Sequence, residues 1–120
     1  MGRLTTHVLD TANGRPAAGV RFRVYAVSPG DSGERRLLRE GVTNADGRCD
    51  APLLEGEGFK AGCYEIVFEA GAYFAALGPA LPQPAFVGDV VLRFGVADVA
   101  AHYHVPLLVS PWSWSTYRGS

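Results

Sequence analysis

Val20-Arg21-Phe22-Arg23-Val24-Tyr25-Ala26 alternates without a break: Val20, Phe22, Val24 and Ala26 form one set, and Arg21, Arg23 and Tyr25 the other. Successive side chains of a strand leave on opposite faces, so this period of two predicts a strand with one face in a core and one in water. Upstream, Thr11 to Pro16 (TANGRP) reads as a turn, with Asn13-Gly14 supplying backbone freedom and Pro16 restarting an extended chain. Before it, Leu4, Thr6 and Val8 alternate with Thr5, His7 and Leu9 as a first strand. Downstream, SPGDSG (Ser28 to Gly33) is a loop. Residues 34–43 form a third strand closed by the turn Asn44-Ala45-Asp46-Gly47, and Arg48 leaves that turn directly beside a short strand.

The second half repeats the pattern. At 62–69, Tyr64, Ile66 and Phe68 oppose Glu65, Val67 and Glu69. The Ala-rich stretch from Ala70 to Leu77 loses the alternation and predicts a short helix, and Pro79, Pro82 and Pro84 then hold the chain extended. Strands are expected near 87–96, 102–109 and 112–118, with Pro111 at the corner of the last hairpin. Seven or eight short strands and one short helix, with no long helix, predict a mainly β, two-sheet sandwich. No linker divides the 120 residues, so 1–120 is read as a single domain.

Composition narrows the function classes. A 48% hydrophobic content fits a packed globule, and a net charge of −1 argues against nucleic acid or an anionic membrane as partner. Arg35, Arg36 and Arg39 are interrupted by Leu37 and Leu38 and read as the wet edge of a strand, not a phosphate patch. The first residues lack the pattern of a signal peptide and no apolar run approaches the ~18 residues of a spanning helix, so the cytoplasm is the expected compartment. Cys49 and Cys63 are too few for a disulfide framework and are expected as reduced, partly buried thiols.

Three histidines, His7, His102 and His104, carry the side chain that exchanges a proton near neutral pH unaided. On the 102–109 strand, Tyr103, Val105, Leu107 and Val109 suit the core, which turns His102, His104, Pro106 and Leu108 outward. On the last strand, Trp112, Trp114 and Thr116 oppose Ser113, Ser115, Tyr117 and Gly119. With the tryptophans inward, His104 and Tyr117 share an outer face that is part apolar and part imidazole, which suggests a pocket or an interface. A zinc site through His102 and His104 lacks a third ligand at a recognisable spacing, and no metal is expected. Neither cysteine sits in a nucleophile motif, Ser115 and Ser120 lack a nucleophile elbow, and no glycine-rich loop precedes a helix. Residue chemistry alone stops at a β-sandwich with a histidine-bearing face.

Three segments resemble the 5-hydroxyisourate hydrolase branch of the transthyretin-like (prealbumin-like) family: Leu4 to Ala17 (LTTHVLDTANGRPA), Thr43 to Arg48 (TNADGR) and Tyr103 to Ser120 (YHVPLLVSPWSWSTYRGS). The Asp10 to Pro16 turn is common among sandwiches, whereas the terminal Tyr117-Arg118-Gly119-Ser120 taken with His7, Arg48 and His104 is specific. The resemblance implies His7, Arg48 and His104 as catalytic residues and Tyr117, Arg118, Gly119 and Ser120 as substrate-binding residues. It also implies a homotetramer with sites where two dimers meet, and no cofactor. The implied reaction opens the six-membered ring of an oxidised purine by water attack on a carbonyl. An imidazole accepts the water proton and a guanidinium offsets the charge on oxygen.

Two other classes compete. A transthyretin-type carrier would share the channel without catalysis, but the carriers lack the terminal tetrapeptide and His7. A structural sandwich from a larger surface protein fits poorly with the short chain and the absence of an export signal. One departure stands out: Trp112-Ser113-Trp114 replaces the family's usual aromatic, Gly, Tyr run. By alternation both rings point away from the channel face, so the expected consequence is altered core packing.

Overall fold

The computed structural model describes residues 2–29, 33–78 and 80–119. Among them it forms nine strands: β1 (Arg3–Asp10), β2 (Arg15–Pro16), β3 (Arg21–Val27), β4 (Arg35–Val42), β5 (Leu54–Glu55), β6 (Gly62–Phe68), β7 (Val90–Val96), β8 (His102–Val109) and β9 (Trp114–Thr116). One helix, α1 (Ala70–Ala76), and a single 3-10 turn at Gly56–Gly58 complete the fold. The expected two-sheet sandwich with one short helix is borne out. Two of the strands, β2 and β5, are two-residue pieces that a period-two pattern is too short to reveal.

The sheets run β2-β1-β8-β9, with β5 also paired to β1, and β4-β3-β6-β7. Between them pack the alternating residues of each strand: Leu4 and Val8 of β1, Phe22 and Val24 of β3, Ile66 and Phe68 of β6, Leu92 of β7, and Val105 and Leu107 of β8. Each large aliphatic or aromatic side chain buried this way contributes about 1.5–3 kcal/mol by removal from water. Two polar residues share the inward side of β1 and both are satisfied: the Thr6 hydroxyl donates to the Val105 carbonyl at 2.7 Å, and the Asp10 carboxylate accepts from the Tyr73 hydroxyl at 2.8 Å. The arginine-rich strand β4 is an edge strand with Arg35, Arg36 and Arg39 exposed, as its composition suggested.

Strand β1 pairs with β8 in parallel, setting Arg3 opposite His102, Thr5 opposite His104 and His7 opposite Pro106. Residues close to the two ends of the sequence are thereby neighbours in one sheet. Inward residues of both strands are fixed by the core, so Thr5, His7, His102 and His104 must project together from the outer face. This pairing, more than any local motif, positions the site.

Three expectations need correction. No strand flanks Arg48; the nearest short strand is β5, beginning at Leu54. The tryptophans do not enter the core: Trp114 is 44% exposed and Trp112 57%. Trp114 does sit opposite Val109, on the inward side, but β9 is an edge strand with no neighbour beyond it. Its ring therefore lines an open groove with Leu92, Phe94 and Val105. Trp112 lies in the turn before β9 and rests beside Phe86, ring centroids 6.2 Å apart. Finally, Cys63 is exposed, because it stands at the start of β6 opposite Gly95, which offers no side chain to cover it.

Candidate active site

On the outer face of the first sheet lies a cavity of about 1230 Å³. Its walls include Thr5, Arg48, His102, His104, Tyr117 and Gly119. His7 is not part of that lining; it sits one pleat further along β1, opposite Pro106. Proximity nonetheless couples His7, His104 and Arg48 electrostatically, since the guanidinium depresses both imidazoles.

Arg48 reaches this position through the turn that precedes it. Asn44 folds the turn on itself: its Oδ1 accepts from the backbone N–H groups of Asp46 at 2.9 Å and Arg48 at 3.1 Å. Gly47 then gives its carbonyl to the Val8 N–H at 2.8 Å, docking the turn against β1 beside His7. Gly47 has φ +74°, and a Cβ there would lie 2.4 Å from the Val8 oxygen, so glycine is required on both counts. The Arg48 side chain is thus exposed while its backbone is fixed.

The C-terminal tail closes the other side. The Gly119 N–H donates to the His104 carbonyl at 2.7 Å, and the two residues form a bridge in register with β8 and β9. A Cβ at Gly119 would fall 2.8 Å from Cδ2 of the His104 ring. The glycine therefore admits the imidazole, and its φ is not in the left-handed region; close approach, not a tight turn, is what it provides. The same register carries Tyr117 to the side of Pro106, and its ring, 60% exposed, lines the histidine cavity as expected from alternation. Arg118 alternates to the other side, where its guanidinium stacks 4.0 Å above the Tyr103 ring, with the Nη2 group 3.5 Å from the His102 carbonyl, and it still borders the histidine cavity at its edge. Ser120 lies outside the described residues.

Electrostatics favour neutral rings. Burial is the leading cause that lowers the pKa of His7, His102 and His104 below the ordinary imidazole value. Arg48 adds to this for His7 and His104, and Arg3 for His102. A backbone hydrogen bond at Asp46 partly opposes the shift at His7. Cys49 lines the same cavity, but burial pushes its thiol up, away from the thiolate a nucleophile needs.

Two residues of the site escaped the sequence reading. Thr5 has its hydroxyl 2.7 Å from His102 Nε2 and 2.8 Å from His104 Nδ1. Its parity with His7 on β1 was the available signal. Arg3 also lines the cavity, opposite His102.

Residues 4–119 match the model of the HIUase/Transthyretin family. The chain belongs to that family. It is 60% identical to 5-hydroxyisourate hydrolase 2 of Rhizobium meliloti over 99% of this chain and 97% of that one. It is 55% identical to the 5-hydroxyisourate hydrolase of Pseudomonas aeruginosa over 100% and 93%. Among solved structures, that of Klebsiella pneumoniae 5-hydroxyisourate hydrolase superposes with a TM-score of 0.78 at 36% identity, with full coverage of both chains. Sea bream transthyretin in complex with thyroxine gives 0.85 at 29% identity, over 98% and 94%. A structure of (S)-allantoin synthase gives 0.91 at 49% identity over 99% of this chain, which spans only 44% of that longer protein.

Proposed function

We propose that this protein is a hydrolase that converts 5-hydroxyisourate to 2-oxo-4-hydroxy-4-carboxy-5-ureidoimidazoline in urate catabolism. The observation that carries the reading is the assembly of His104, Arg48, Tyr117 and Gly119 around one cavity, with His7 one pleat away on the same face. Water adds to a ring carbonyl of the substrate. A neutral imidazole accepts one water proton, the C–N bond of the cyclic amide breaks, and the ring nitrogen takes up a proton. Arg48 supplies a planar, permanently charged fork to the carbonyl oxygen as charge builds on it. Tyr117 and the Gly119 backbone wall the substrate, and Arg118 and Ser120 complete the binding set in the same proposal.

A transthyretin-type carrier is the competing reading. The outer face argues for the hydrolase: a carrier channel has no need of imidazoles gathered beside an exposed guanidinium. Identity points the same way, at 55–60% to the hydrolases above against 29% to the thyroxine-binding transthyretin. The protein is further proposed to work as a cytoplasmic homotetramer, with substrate sites between two dimers. Two unpaired thiols suit a reducing compartment. The deciding experiment oxidises urate with urate oxidase and follows the near-ultraviolet absorbance of the intermediate. Added protein should accelerate its decay well above the spontaneous rate; a decay curve unchanged by the protein refutes the hydrolase reading.

A further inference from the structure

His102 and Thr5 have no part in the reaction as described so far, yet a short polar contact joins them on the outer face. The Thr5 Oγ1 stands between two imidazole nitrogens, 2.7 Å from His102 Nε2 and 2.8 Å from His104 Nδ1. We propose that Thr5 and His102 are positioning residues for His104: His102 Nε2–H donates to the Thr5 oxygen, and the Thr5 hydroxyl donates to His104 Nδ1. His104 then carries its proton on Nε2 and presents it to the cavity as a hydrogen-bond donor. The inference rests on the hydrolase reading above and assigns a direction to its proton chemistry.

The counting of protons supports it. A hydroxyl has one proton and two lone pairs, so it can donate to one ring only. At least one of the two facing nitrogens must therefore carry hydrogen. Among the described residues the Thr5 hydroxyl has no third partner, so its proton goes to one of the two rings. Of the two directions, donation to His104 gives both imidazoles the Nε2–H form, which is the ordinary preference of a neutral histidine side chain. The reverse direction would force both rings into the less common form. Burial and Arg3 across the strand pair both lower the pKa of His102, which favours the form with one ring proton.

The second histidine then has the complementary task. With its Nδ1 lone pair taken by the Thr5 hydroxyl and hydrogen on Nε2, a neutral His104 has no nitrogen left to accept the water proton. His7, the other imidazole beside Arg48, keeps one nitrogen lone pair when its ring is neutral. His7 is thus the group equipped to take the water proton while the water oxygen bonds to the carbonyl carbon. It passes that proton to the ring nitrogen as the C–N bond breaks, and atoms and charge balance over the cycle. His104 donates throughout, to the oxygen that gains charge. The lock that fixes this division of roles is the one at His104, through Thr5 and His102.

The test combines ring spectroscopy with kinetics on the intact protein. Nitrogen-15 spectra of labelled histidine distinguish the Nδ1–H from the Nε2–H form, and with three histidines in the chain, single His→Gln variants assign the signals. The expected result is Nε2–H for His104 in the wild type and a mixture in Thr5→Val. Thr5→Val keeps the β-branched shape that suits the strand, so the sandwich should survive. Its kcat should fall on the order of 10- to 100-fold with KM within about 2-fold, since a lost lock weakens a bond used in the transition state. Thr5→Ser should recover most of the rate. His102→Gln places an amide N–H near the lost Nε2 and should also recover most of it, whereas His102→Leu should behave like Thr5→Val. An Nδ1–H signal for His104 in the wild type, or a Thr5→Val enzyme with wild-type kcat, overturns the assignment. A wild type that leaves the decay of 5-hydroxyisourate unchanged overturns the hydrolase reading instead, and the ring spectra still decide the tautomer separately.

Discussion

Among the described residues of the site, Arg48 is the one whose side chain is exposed while its backbone is held at both ends of a turn, by Asn44 and through Gly47 by Val8. That combination suits a group that must meet substrate and contributes little to folding. Arg48→Lys preserves the charge but loses the bidentate plane. It should lower kcat/KM by ~10²-fold, the scale of a lost oxyanion donor, with an unchanged thermal unfolding curve. Near-normal turnover by the lysine variant would leave Arg48 with no role beyond the surface. Arg48 also depresses its two imidazole neighbours, which fixes a pH dependence. A depressed histidine stays neutral to lower pH than a free one, whose pKa is about 6.5. The proton-accepting form is therefore already complete at neutral pH. The kcat/KM profile should be flat from neutral upward through the mildly alkaline range and should fall only below pH ~6.5. A profile still rising above pH 7 would mean that the imidazole in use is not depressed.

The strand-and-tail element β9 to Gly119 is where the sequence reading was both most and least informative. Alternation correctly sent Tyr117 to the histidine face, because a period of two needs only one fixed residue to set the rest. It misplaced the tryptophans, because alternation reports which side a residue takes and not whether anything covers that side at an edge. The same holds more widely. Strands β3 and β8 were legible because each sends one alternating set into the core, whereas the parallel pairing of β1 with β8 depends on residues about a hundred positions apart and leaves no local trace. Thr5 passed unnoticed for a related reason: threonine in a strand looks like ordinary β-propensity until its neighbour across the sheet is known. The tail itself carries a prediction. Chain ends usually tolerate loss, but removing residues 117–120 here deletes the Gly119 bridge on which His104 leans and the Tyr117 wall. A variant ending at Thr116 keeps all nine strands. It should retain the circular dichroism of the sandwich and lose most of its activity in the urate-oxidase-coupled assay, by ~10-fold or more. Full activity in that variant would reduce the tetrapeptide to a family signature without a mechanistic part.

At the scale of the whole molecule, the question is what covers the outer face of the first sheet. Leu9 and Leu108 pair across β1 and β8 and are only half-buried, Tyr117 is 60% exposed, and the histidine cavity opens beside them. A single chain thus presents apolar side chains around its own reactive groups, where water would compete for every hydrogen bond. Closing that face against an identical one removes the apolar surface from water and encloses the imidazoles in a less polar space, where a charge-stabilising arginine is worth more. A self-complementary face closes by two-fold symmetry, and a second, different contact between chains is needed to make a tetramer from such pairs. The open edges of β7 and β9 flank the groove lined by Trp114 and offer that second contact. Sedimentation at micromolar concentration should therefore show a homotetramer. Leu108→Asp puts a charge into the closed face without touching the core side of β8. It should shift the protein toward dimers or monomers and lower activity in parallel, with the dichroism of the sandwich retained. A wild-type protein that sediments as a stable monomer with full activity would exclude the shared site, because each chain would then complete its own chemistry on a face open to solvent.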